Sequence, residues 1–233
     1  MYRLYIANKN YSSWSLRPWV LMKELGIPFE EVLRPFELED NFALFRKFSP
    51  SGKVPCLVDD EGGDSNIVVW DSLAIAEYLA EKTPAVWPND TEAKTFARCA
   101  AAEMHSGFAT LRDVCPMNCG ITAELNEVSP ALQRDLERIH ELWQEGLDKF
   151  GGPFLAGADF TAVDAFFCPV AFRFASYQLP LSNTSKTYHD QLLALPSMQA
   201  WEQSALQEPW REPWHEEEIA ATGRVLADRR HKK

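Results

Sequence analysis

The chain has 233 residues, of which 46% are hydrophobic and 24% are charged, which is typical of a globular protein with one large domain or two modest ones. Its formal net charge is −11, which argues against a broad nucleic-acid-binding surface. No apolar run approaches the roughly 18 residues needed to span a membrane. No signal peptide is visible either, so we expect a cytoplasmic protein that acts without a membrane or nucleic acid.

The five cysteines give no sign of a disulfide framework or a metal site. Their number is odd, and "CPMNC" at 115–119 has three residues between its cysteines with no Cys or His pair nearby. We therefore expect no metal and a reducing compartment.

The first 82 residues alternate strand and helix signals. Pro18 suits the first turn of the first helix, and Gly26 suits its end. The predicted order is β-α-β-α-β-β-α, with strands at 2–7, 29–36, 55–60 and 66–70, helices at 15–26, 39–49 and 71–82, and a turn-rich hairpin connection at 59–66. A parallel βαβ start followed by a hairpin predicts a mixed sheet with helices packed on it.

After residue 82 the pattern changes. Two prolines and "NDT" predict a linker at 83–92, and residues 93–233 read as an all-helical domain. Apolar residues recur at helical spacing over 91–113, 130–150 and 161–177, and a shorter helix follows 195–197. The basic ending "ADRRHKK" at 227–233 is typical of a solvated, frayed tail.

Three short motifs have both a structural and a chemical interpretation. Ser12 and Ser13 stand just before the first helix, and Asp71 with Ser72 opens the third, so all four are candidate helix caps. Pro55 begins a predicted strand but has no backbone N–H to donate to a neighbouring strand. A cis peptide bond between Val54 and Pro55 is one way to accommodate it, but the spacing of the residues alone does not decide between cis and trans.

Four segments together resemble the cytosolic glutathione transferases, in particular their serine-type classes such as zeta and tau. They are 11–32, 41–60, 68–79 and 160–170, and their order and spacing carry the resemblance. It implies a thioredoxin-like N-terminal domain over 1–82 and an all-helical domain over 93–233 that lines an electrophile pocket. It also implies that Thr161 and Asp164 form a capping box with a role in folding.

The same resemblance implies a glutathione site. Asp71 would pair with the γ-glutamyl ammonium, while Ser72 at a helix N-terminus would take the carboxylate. Val54 would offer its backbone to the cysteinyl part, and Lys53 would contact the glycyl carboxylate. Each assignment has an ordinary structural alternative. Asp71 and Ser72 would then simply cap the helix, Val54 and Pro55 would form a structural turn, and Lys53 would be a solvated surface lysine.

Ser12 matches the catalytic serine of the family and would stabilise the glutathione thiolate with one hydrogen bond. Ser13 and Tyr11 are the alternatives for this contact. Trp14 stands near the place where relatives carry cysteine, and no cysteine lies between Tyr11 and Arg17, so a mixed disulfide with the enzyme is not expected.

The second substrate would lie between the domains. We predict that Trp14 forms one wall, and that the helix at 91–113 supplies His105, Phe108 and Arg112, which fall on one helical face. Arg112 is a candidate to attract an anionic electrophile, or to pair with an acidic residue across the domain contact.

Three functions fit these residues. The first is conjugation of glutathione to small hydrophobic electrophiles, a detoxification reaction. The second is a glutathione-dependent isomerisation of the maleylacetoacetate type, and the third is a low-turnover binding or scaffold protein. In each case glutathione is the small-molecule partner, and the resemblance implies a homodimer.

Overall fold

A computed structural model describes residues 1–36, 40–60 and 66–230. It has a four-stranded sheet with helices at the N-terminal end, followed by a mainly helical region and a two-stranded ribbon. The strands are β1 (Tyr2–Ile6), β2 (Phe29–Leu33), β3 (Cys56–Asp59), β4 (Ile67–Trp70), β5 (Ile121–Leu125) and β6 (Gly223–Asp228). The helices are α1 (Ser13–Glu24), α2 (Asn41–Phe45), α3 (Ser72–Lys82), α4 (Thr91–Ser106), α5 (Ala109–Val114), α6 (Pro130–Phe150), α7 (Ala162–Ser176), α8 (Asn183–Ala194), α9 (Pro196–Gln207) and α10 (Pro213–Thr222).

The N-terminal sheet confirms the predicted element order. Its strand order is β2-β1-β3-β4, with β1 parallel to β2 and antiparallel to β3, and with β3 antiparallel to β4. The Val54–Pro55 bond that precedes β3 is cis. Most of the predicted hairpin connection and the first residue of the predicted second helix lie outside the described residues.

The second helix is shorter than the prediction. α2 spans Asn41–Phe45 only, and the side chain of Asp40 caps it by accepting a hydrogen bond from the Ala43 backbone N–H. None of the helices within the described residues combines the length and the apolarity required to cross a membrane.

The helical region is built around α7, most of which is buried, and α7 packs against both α1 and α4. The predicted capping box is present at its start: Asp164 accepts a hydrogen bond from the Thr161 backbone N–H at 3.0 Å. This packing brings the N-terminus of α1 close to the middle of the helical region.

The predicted helix over 91–113 is wrong in one respect, because it is broken into α4 and α5. α4 ends at Ser106, and Phe108 adopts a left-handed conformation with φ of 55° before α5 begins. The helical phase is therefore lost between His105 and Arg112, and the predicted common face does not form.

The region after residue 92 also contains a feature that the sequence did not predict. β5 and β6 pair as an antiparallel ribbon between segments about 100 residues apart. The frayed-tail prediction is wrong as far as Arg230, whose guanidinium is buried and forms ion pairs with Glu216 and Asp228. Residues 231–233 lie outside the described part of the chain.

Candidate functional site

Two cavities adjoin each other at the N-termini of α1 and α3. The α3 cavity has a volume of about 420 Å³ and is lined by Asp71, Ser72 and the loop before β3. The α1 cavity has a volume of about 590 Å³ and is lined by Ser12, Ser13 and residues of the helical region. Trp14, Lys53 and Val54 line both cavities, so one extended ligand could occupy the two together.

The α3 cavity presents charges of both signs at its helix end. Asp71 is the N-cap of α3: its Oδ1 accepts a hydrogen bond from the Leu73 N–H at 2.8 Å, and its side chain is 45% exposed. Ser72 is buried in the first turn of the helix, whose free N–H groups carry a partial positive charge. Asp71 therefore caps the helix and also lines the cavity.

The loop before β3 supplies Lys53 and Val54. Lys53 is exposed and forms no ion pair with the residues that the structure describes, whereas Val54 is half-buried. Both residues lie where the two cavities meet.

Ser12 is the N-cap residue of α1, but its side chain makes no capping hydrogen bond. It is only 6% exposed, and its Oγ donates to Ser15 Oγ at 2.7 Å. Ser15 Oγ in turn accepts from the Ala7 backbone N–H at 3.3 Å. The Ser12 hydroxyl thus belongs to a short polar chain at the α1 cavity.

Ser13 has a different partner. Its Oγ accepts a hydrogen bond from Arg173 Nη2 at 3.2 Å, and the same guanidinium donates to the Cys115 carbonyl. Arg173 lines the α1 cavity, and its burial lowers its pKa to about 10. Sequence reasoning missed Arg173, because it lies within the apolar pattern of α7.

The hydroxyl of Tyr11 already has strong partners. It donates to Glu216 Oε1 at 2.6 Å and accepts from Arg230 at 3.1 Å, while its ring stacks on His215. Burial, reinforced by the hydrogen bond to Glu216, raises the pKa of Tyr11 to about 12. These contacts tie Tyr11 to the C-terminal segment.

The predicted electrophile residues divide into two groups. Trp14 and Arg112 line the α1 cavity, with the Arg112 guanidinium 5.3 Å from the indole centroid. His105 and Phe108 do not contribute to the lining of either cavity. His105 Nε2 lies 3.4 Å from Asp71 Oδ2, but burial lowers the pKa of His105.

A second arginine that sequence reasoning missed lies under the α3 cavity. Arg17 is 2% exposed, and its guanidinium lies 4.2 Å from the Trp14 ring centroid, on α1. It donates to Ser72 Oγ and to the Met104 carbonyl, each at 3.5 Å, and its Nε has no partner among the described residues. Burial lowers its pKa to about 9. The only sequence signal was a charged residue in an otherwise apolar stretch of helix.

No cluster of three or more His, Cys, Asp or Glu side chains suited to a metal ion occurs within residues 1–36, 40–60 and 66–230.

The family comparison points to the segment that contains most of these residues. Residues 11–82 match the family model described as the glutathione S-transferase N-terminal domain. The similarity to this family therefore lies in the N-terminal part of the chain. The matched segment includes Ser12, Lys53, Val54, Asp71 and Ser72, whereas Arg112 and Arg173 lie beyond it.

Individual relatives extend the similarity over more of the chain. The glutathione S-transferase-like protein OpS6 of Beauveria bassiana is 25% identical over 172 residues, covering 72% of this chain and 76% of the relative. The glutathione S-transferase GstB of Escherichia coli is 37% identical over 73 residues, which cover 31% of this chain and 34% of the relative.

One solved structure matches this chain over most of the length of both proteins. It is a glutathione transferase homolog from Burkholderia GL BGR1 with bound glutathione, 25% identical, with a TM-score of 0.62. The match covers 88% of this chain and 97% of that one. Together these findings support a relationship between this chain and the glutathione transferase family. They agree with a thioredoxin-like N-terminal domain followed by a helical region.

Proposed function

We propose that this protein is a serine-type glutathione transferase that conjugates reduced glutathione to small hydrophobic electrophiles. The observation that carries the proposal is the pair of adjoining cavities, with Asp71 and Ser72 in one and Ser12 in the other. The glutathione in the Burkholderia structure supports the choice of ligand.

The proposed placement of glutathione follows the charges along the cavities. The γ-glutamyl ammonium pairs with Asp71, and its carboxylate meets Ser72 and the N-terminus of α3. The cysteinyl backbone pairs with Val54, and Lys53 meets the glycyl carboxylate. The sulfur then enters the α1 cavity beside Ser12.

The role proposed for Ser12 is to stabilise the thiolate. A free cysteine thiol has a pKa of about 8.5, so only a small part is ionised at neutral pH. A hydroxyl can rotate to suit a new partner, so Ser15 can donate to Ser12 when Ser12 donates to the sulfur. The dipole of α1 also favours an anion at this position.

The chemistry needs no further group on the protein. The thiolate attacks an electrophilic carbon, and a carbon–sulfur bond forms. The electron pair of the displaced bond leaves with a halide or another leaving group, or it moves along a double bond and is then protonated by water.

The test compares Ser12→Ala with Ser106→Ala, a control on the exposed end of α4. We expect Ser12→Ala to raise the pKa of bound glutathione by about one to two units and to lower kcat about tenfold to a hundredfold. Its affinity for glutathione should change little. Ultraviolet absorbance of the bound thiolate and initial rates on an electrophile panel provide the measurements.

The other outcomes distinguish the remaining functions. Regenerated glutathione with a rearranged product would identify the isomerase, and binding without turnover on the panel would identify a binding protein. A glutathione soak in which the sulfur contacts Tyr11 or Ser13 instead of Ser12 would overturn the residue assignment.

The larger organisation is part of the same proposal. We assign residues 1–82 to the glutathione-binding domain, 83–92 to a linker and 93–233 to the helical domain. We further propose that the protein is a cytoplasmic homodimer with a detoxification role. Limited proteolysis would test the linker, and light scattering would test the dimer.

A further inference from the structure

Two arginines line the α1 cavity without a carboxylate partner among the described residues. Arg112 donates to the carbonyls of Met104 and His105, and Arg173 donates to the Cys115 carbonyl and Ser13 Oγ. Within the described part of the chain, neither guanidinium forms an ion pair. Arg173 is only 4% exposed, and a buried charge without a counter-ion is costly.

The other charged groups around the cavity do not neutralise this pair by contact. Asp113 and Asp135 are near enough to Arg112 to oppose the lowering of its pKa, but Asp135 Oδ2 accepts from the Leu111 N–H instead. Arg17, whose guanidinium lies against the Trp14 ring, adds further positive charge near Arg112 and Arg173.

The acidic residues of this cavity lie on the α10 side. Glu212 accepts hydrogen bonds from the backbone N–H and Nδ1 of His215, at 2.8 and 2.6 Å. Glu218 also contributes to the lining. The cavity therefore has a cationic wall at the serines and an acidic wall at α10.

The proposed position of glutathione leaves the two arginines available. Its γ-glutamyl carboxylate is assigned to Ser72 and its glycyl carboxylate to Lys53, so neither reaches the wall formed by Arg112 and Arg173. The groups left for this wall are the thiolate and the second substrate.

We propose that Arg112 and Arg173 form a subsite for a carboxylate on the second substrate, so that the enzyme prefers anionic electrophiles. This inference rests on the proposed function. Trp14 supplies an aromatic wall beside Arg112 for the apolar part of such a molecule, and a guanidinium fork suits the two oxygens of a carboxylate.

The test uses a chloronitrobenzoate, with its carboxylate para to the chlorine, and its methyl ester. In both, the thiolate attacks the ring carbon that bears chlorine, and chloride leaves with the bonding electrons. Each kcat/KM is divided by the uncatalysed rate constant. We expect a wild-type preference for the acid of roughly tenfold or more.

The variants assign that preference to residues. Arg112→Met should remove most of this preference, measured as the ratio of acid to ester, and Arg112→Lys should restore part of it. Arg98→Met is the control, because Arg98 is exposed and pairs with Glu77. Arg173→Met should also lower the preference for the acid, and if that variant does not fold, Arg112→Met and Arg112→Lys decide the test.

Binding provides a second measurement that does not depend on turnover. With S-methylglutathione present, wild type should bind nitrobenzoate more tightly than its methyl ester, and Arg112→Met should not. Glutathione conjugation without any preference for the acid would overturn this inference and leave the proposed function standing. Failure to bind glutathione at all would overturn both.

Discussion

Asp164 offers a sharp test of a purely structural role. It is fully buried at the start of α7, outside both cavities. Its Oδ1 accepts from the Leu155 N–H at 3.0 Å and from the Tyr188 hydroxyl at 2.8 Å. Its Oδ2 accepts from the backbone N–H of Thr161 at 3.0 Å and from its hydroxyl at 3.4 Å.

The cost of Asp164→Ala follows from the donors left behind. Two buried backbone N–H groups and the Tyr188 hydroxyl lose their acceptor, and each such group costs about 1–3 kcal/mol when it stays unsatisfied. Water that enters the space left by the carboxylate offsets part of this sum. We therefore expect the free energy of unfolding to fall by about 3–5 kcal/mol.

The measurement is denaturant unfolding at neutral pH, with kcat determined per folded molecule. Asp159→Ala serves as the control, because Asp159 is exposed on the preceding loop. Tyr188→Phe removes one donor and should cost about 1–2 kcal/mol. Unchanged unfolding of Asp164→Ala together with lost activity would refute the structural assignment.

Three further predictions concern separate parts of the molecule. Burial raises the pKa of Asp164 from 3.8 to about 6, so the folded state binds a proton at this carboxyl more tightly than the unfolded state does. The stability that this bound proton contributes is lost as the pH rises from about 4 to about 6. The unfolding free energy of wild type minus that of Asp164→Asn should fall over this range and stay level above it; a rise would contradict the sign. Tyr11→Phe removes the donor to Glu216 and should cost about 1–3 kcal/mol without changing the pKa of the bound thiol, whereas a raised thiol pKa would implicate Tyr11 in catalysis. Gly146→Ala would place a methyl group 2.5 Å from the Leu155 carbonyl oxygen, so we expect a loss of about 1–3 kcal/mol in thermal or denaturant unfolding, and no loss would show that α6 can shift.

Some features of the protein follow from local sequence. The element order of the first 82 residues was predicted correctly, because periodicity acts over only a few neighbouring residues. The capping box of α7, which the family resemblance implied, is also present. Seven of the nine proposed site residues line the two adjoining cavities; six of them lie in the family-like segments, whereas Arg112 lies outside these segments. These seven are Ser12, Trp14, Lys53, Val54, Asp71, Ser72 and Arg112.

The tertiary structure decided features that depend on residues far apart in the chain. β5 and β6 form a ribbon because each supplies the other's hydrogen-bond partners. Neither segment could therefore be predicted as a strand from its own sequence. Because the helix is broken at Phe108, Arg112 does not lie on the face of α4 that carries His105.

The positions of the buried charges near the site also depend on residues that are far apart in the chain. Arg17 and Arg173 are polar interruptions of apolar helices in the sequence. The packing of α1 against α3 places Arg17 beside Ser72, and the packing of α1 against α7 places Arg173 beside Ser13. Local sequence determined which segments fold as helices and strands. Packing between distant segments determined which buried charges face the cavities, because burial and electrostatic contact depend on spatial neighbours.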